Sequence, residues 1–139
     1  MKRILVWGVG FILLIGLFLR FGPLYFGPAT YVDGDTVKIG DHKFRLAGIR
    51  APEAGTPTWR DSTDYMRYQI LKRGWIVCWN NGEVGSNGLI GTCYKGTTDI
   101  AAEMIRAGKA CAATKPEYRV ERYVKLEEEV GKRPEDCGN

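Results

Sequence analysis

From Ile4 to Leu19 the chain carries no charged or strongly polar side chain, and Lys2-Arg3 and Arg20 bracket the run. Those sixteen residues make roughly 24 Å of helix at about 1.5 Å each, a little short of a hydrocarbon core of about 30 Å. Snorkelling by Arg3 and Arg20 closes the difference. The pattern predicts a single transmembrane anchor, with Trp7 and Tyr25 placed as interfacial residues beside Arg20. Lys2, Arg3 and the amino terminus outweigh Arg20, so the positive-inside rule leaves the start in the cytoplasm. The rest then lies outside a bacterial-type inner membrane, periplasmic or extracellular. A cleaved signal peptide shares the positive start and apolar middle. Its candidate cleavage site, Gly27-Pro28-Ala29, lies well beyond the apolar run.

Beyond the run, composition is that of one ordinary globular domain. Residues 1–27 read as stub, anchor and linker, and 28–139 as the domain, with Phe21 to Pro28 a stiff linker containing two Gly-Pro pairs. The formal charge of +4 is uneven: residues 28–139 hold 17 Lys and Arg against 16 Asp and Glu. That near-neutral balance argues against nucleic acid as a partner, since phosphate binding needs clustered cations.

Thr30 to Val32, Thr36 to Ile39 and Lys43 to Ile49 read as three β-strands separated by turns at Asp33-Gly34-Asp35 and Gly40-Asp41. A helix over Asp61 to Arg73 follows, capped by Asp61 or Ser62 and stopped at Gly74. Trp75 to Trp79 and Leu89 to Tyr94 are two further strands. A second helix is capped by Thr98 or Asp99 and ends at Gly108, and a third runs from Pro116 to about Val130. This order predicts an α+β domain, a five-stranded Greek-key barrel of the oligonucleotide/oligosaccharide-binding (OB) type with about three helices. Cys78, Cys93, Cys111 and Cys137 lack zinc-ligand spacing. Strand pairing brings Cys78 near Cys93 and leaves Cys111 to tether the tail at Cys137, with four buried free thiols as the competing reading. Trp75 and Trp79 share one strand face, read as core packing. Trp59, in the loop after Pro57, is a candidate partner anchor, and His42 reads as a solvated turn residue.

Val32-Asp33-Gly34-Asp35-Thr36-Val37 followed by Phe44-Arg45-Leu46-Ala47-Gly48-Ile49-Arg50-Ala51-Pro52-Glu53 resembles the opening of the staphylococcal nuclease-like (thermonuclease) family. Leu89 to Ala110 is similar to that family's fifth strand and following helix. The resemblance implies a phosphodiesterase using calcium, two arginines and a glutamate. It places Asp33 and Asp35 at the metal, Arg45 as the first catalytic arginine and Glu53 as the catalytic glutamate. Two positions depart from it. Arg50 stands where the family has another metal-binding aspartate, a swing of two charge units against a divalent ion. No arginine occurs between Arg73 and Arg106, and Ser86-Asn87-Gly88-Leu89-Ile90 occupies the place of the second catalytic arginine.

These departures imply a vestigial site. Arg50 is expected to take the cation's place against Asp33 and Asp35, or to point into solvent, and Arg45 to pair with Glu53. The functional expectation is a catalytically inactive accessory or scaffold subunit, with no cofactor and with other integral membrane proteins and the bilayer as partners. The alternative is an active membrane-tethered or exported calcium-dependent nuclease.

Overall fold

The computed structural model describes residues 23–86 and 88–137. The anchor expected over Ile4 to Leu19, with Trp7 and Arg20, lies outside them, as does Asn87. Among the described residues no helix is long and apolar enough to cross a membrane.

Alternation of side chains builds the first strand, β1 (Leu24–Asp33), whose buried positions include Gly27 and Ala29. The expected linker is therefore corrected: Leu24 to Pro28 are strand, paired antiparallel with β5 (Trp75–Gly85) from Leu24↔Trp79 to Pro28↔Trp75. The proline is tolerated because β1 changes partner there. Its pairing with β2 (Thr36–Ile39) begins at Ala29↔Ile39, so the missing N–H falls at the handover. β3 (His42–Leu46) pairs with β2 and runs parallel to β6 (Gly88–Lys95), which returns antiparallel to β5. The pairings β1–β2–β3–β6–β5–β1 therefore close on themselves. The domain is α+β, and its main sheet is mostly antiparallel.

The strand expected to run to Ile49 breaks at Ala47-Gly48. Ile49–Arg50 forms a separate strand, β4, paired with β8 (Cys111–Ala112). The short β7 (Thr98–Asp99) extends β6. Helix α1 (Trp59–Asp64) widens into π-helical turns over Tyr65–Leu71 and ends with Lys72 and Arg73 at positive φ, ahead of the expected glycine stop. In α2 (Ile100–Arg106) the Asp99 carboxylate accepts the Ala102 N–H at 3.2 Å, the cap read from the sequence. The third helix is shorter than expected. Pro116–Tyr118 is a 3-10 turn, Arg119-Val120 is extended, and only Glu121–Val130 forms α3.

Val37, Phe44, Leu46, Ile76, Met104 and Ile105 fill the core between the main sheet and the helices. Trp75 and Trp79 are not among them. Ile76 and Cys78 take the inward side of β5, which turns both indoles outward. Cys78–Cys93 bridges directly paired positions of β5 and β6, and Cys111–Cys137 ties the C-terminal segment to β8. No described cysteine is free. Tyr25 packs edge-on to Phe44, with ring centroids 4.9 Å apart, and lies 4.8 Å from His42.

Candidate functional site

The Asp33-Gly34-Asp35 turn, β3 and the chain just after β4 meet at Asp35. Asp35 is buried, and its carboxylate is well supplied with donors. The Ala51 N–H reaches Oδ2 at 3.0 Å, the Thr36 hydroxyl reaches Oδ1 at 2.9 Å, and Arg45 Nη2 stands 3.5 Å from Oδ2. Arg45 is delivered there by register, because it faces Thr36 across the β2–β3 ladder. Arg50 Nη2 instead lies 3.8 Å from Glu53 Oε1, one helical turn's spacing along the chain.

The expected pairings are thus exchanged. Arg45 joins Asp35, not Glu53, and Arg50 joins Glu53, not the two aspartates. The reason is local: Arg50 and Glu53 are only three residues apart, and Asp35 is already engaged by the Ala51 N–H and by Arg45. Both ion pairs are loose and each has one solvent-exposed partner, Arg45 in the first and Glu53 in the second, so each contributes little to stability.

Asp33 accepts the Asp35 N–H at 3.2 Å and is half-buried. Burial, and next the neighbouring Asp35 charge, push its carboxyl up to about 6. Unfolded it titrates near 3.9, so folding favours the protonated form. The stabilisation from this group is complete below about pH 4 and is lost as pH rises through about 6. Asp33→Asn keeps the acceptor and cannot ionise. It is expected to exceed wild type in stability at pH 7 by on the order of 1–2 kcal/mol, after allowance for partial solvent exposure, with the two converging near pH 4. Urea unfolding across that range reads the difference, and parallel pH profiles would refute it.

A cleft of about 280 Å³ opens beside these groups. Arg45, Arg50 and Glu53 form one wall, Ser86, Gly88 and Ile90 of the β5–β6 hairpin a second, and Lys115 and Tyr118 a third. Ile90, which closes the Ser86-to-Ile90 segment that takes the place of the second catalytic arginine in the resemblance, stands opposite Arg45 in the β3–β6 register. Lys115 and Tyr118 were not foreseen. They follow β8 and reach the cleft through the 3-10 turn at Pro116, and Pro116 was the single cue in the sequence. Trp59 is half-buried at the start of α1, while His42 is exposed.

This donor set does not fit a calcium ion. Asp35 already serves three donors, Arg50 puts a cation on the cleft wall, and Glu53 is turned to Arg50. Among the described residues no group of three His, Cys, Asp or Glu is gathered as a metal would need. The cleft therefore offers guanidinium and ammonium charge with one carboxylate, an arrangement suited to holding polar or anionic groups.

No family model matches the chain, and no curated protein matches it.

Proposed function

We propose that this chain is a membrane-anchored accessory subunit built on an OB-type Greek-key barrel resembling staphylococcal nuclease, with a catalytically vestigial cleft. The observation that carries the reading is Arg50: its guanidinium lines the cleft and engages Glu53, the residue the resemblance would make the catalytic base. The closed ring of strands supports the barrel assignment, because the β3–β6 pairing joins the two ends of the β3-β2-β1-β5-β6 order.

Retention of the anchor is supported by β1. Cleavage after Gly27-Pro28-Ala29 would strip the five β1 residues that pair with β5. Two disulfides accord with an oxidising space outside the cytoplasm. In this reading the partners are integral membrane proteins, reached through the anchor and the domain surface.

The test uses the full chain purified in mild detergent. With excess calcium it is expected to leave single-stranded DNA intact, since the loss of one preorganised cation alone costs on the order of a hundred- to a thousandfold in rate. Other membrane proteins are expected to co-purify with it. Turnover on the scale of an intact family member would overturn the reading in favour of a calcium-dependent nuclease.

A further inference from the structure

The outward side of the β1–β5 pair is apolar to an unusual degree. Leu24 is 57% exposed, Phe26 66%, Trp75 58% and Trp79 36%. Register places them together: Leu24 is paired with Trp79, and the Phe26 and Trp75 rings lie 4.9 Å apart. Such a contiguous patch marks an interaction surface. No acidic residue occurs on β1 from Leu24 to Val32, or on β5 from Trp75 to Gly82. The two cations Lys72 and Arg73, both exposed, sit on the turn that leads into Trp75.

We infer that this face docks on the bilayer surface, with the aromatic side chains in the interfacial layer and Lys72 and Arg73 against anionic phospholipid headgroups. The inference rests on the anchor reading above, and chain length makes the argument. Leu24, the first residue of the patch, follows the apolar run by five residues, which reach at most about 18 Å. A domain of this size is about 35 Å across, so so short a tether keeps part of its surface against the membrane. The part nearest the attachment point is the one that carries Leu24 and Phe26. Tryptophan and other aromatics favour that layer, and nearby cations add attraction to anionic lipid. Tethering raises the local concentration, so weak intrinsic affinity is enough.

The full chain is reconstituted in phosphatidylcholine/phosphatidylglycerol vesicles, some of them carrying lipid brominated at shallow acyl positions. Tryptophan emission of wild type is compared with that of a Trp75→Phe/Trp79→Phe variant, so that the difference isolates this pair from Trp7 and Trp59. The pair is expected to lose most of its emission to brominated lipid and little to aqueous iodide. Phe26→Ser together with Leu24→Ser, both at exposed positions, is expected to reverse that order. Emission open to iodide and indifferent to brominated lipid overturns the docking. So does emission shielded from both quenchers, which would mean that a protein covers the face. Carbonate extraction of the same vesicles reads the anchor separately. A chain that resists carbonate while its indoles remain open to iodide fails the docking alone; a chain stripped by carbonate after its indoles were quenched by lipid fails the anchor alone.

Discussion

Replacing Cys78 and Cys93 together by alanine is expected to lower the free energy of unfolding by about 3 kcal/mol, and replacing Cys111 and Cys137 by about 3.5 kcal/mol. The difference comes from loop length. The first bridge closes 15 residues and the second 26, and the entropy withheld from the unfolded chain grows with the logarithm of the loop. The loops do not overlap, so the losses should add. Together they approach the whole stability of an ordinary domain, about 5–15 kcal/mol, and the quadruple variant should be largely unfolded at 37 °C.

The bridges also differ in what they hold. Cys78 and Cys93 lie in a hairpin that backbone bonds already close. Cys111–Cys137 is what keeps the C-terminal segment in place, where Asp136 accepts both the N–H and the hydroxyl of Thr58 at the start of α1. The second pair should therefore also loosen α1, seen as faster amide exchange there, while the first should not. Urea unfolding of the oxidised wild type and the alanine variants measures the sizes. A loss below about 1 kcal/mol for either pair would contradict the account.

Much of the fold was legible because it depends on spacing. Turns at Asp33-Gly34-Asp35 and Gly40-Asp41 mark the first hairpins, and Asp99 marks a helix start by its short polar side chain. The Cys78–Cys93 bridge follows from two strands that must pair. What was not legible depends on closure in three dimensions. Alternation on β5 defines two faces, Trp75-Val77-Trp79 and Ile76-Cys78, and both are apolar, so only the ring of strands decides which one faces in. The beginning of β1 was hidden by two Gly-Pro pairs that read as linker, because Pro28 fits the strand only through the change of partner there, which the sequence does not display. In the cleft, Arg45, Arg50 and Glu53 stand on one lining, but their pairing differs from the expected one. Which carboxylate a guanidinium meets is set by strand register for Arg45 and by three-residue spacing for Arg50. Lys115 and Tyr118 come from a segment whose one signal, Pro116, marks a turn and not a site.

Gly48→Ala is expected to cost roughly 2–5 kcal/mol. Two penalties combine. Gly48 has φ +79°, where a side chain costs about 1–2 kcal/mol. An added Cβ would also stand 2.5 Å from Val120 Cγ2 and 2.7 Å from Tyr123 Cδ2, and such overpacking costs about 1–3 kcal/mol. Neither side can readily give way. The Tyr123 hydroxyl donates to Asp99 at 2.8 Å and its ring is buried, while Val120 is the residue that begins α3. The turn itself is pinned, as the Ala47 N–H donates to the Gly91 carbonyl and the Ala113 N–H to that of Gly48, both at 2.9 Å. Gly40→Ala separates the two penalties, because Gly40 also has positive φ, +57°, but an added Cβ meets nothing within 4 Å. It should cost only about 1 kcal/mol. Equal losses for the two variants in urea unfolding would show that the close approach to α3 contributes nothing. A clear excess at Gly48 would mean that this contact seats β4, and with it Arg50, on the wall of the cleft.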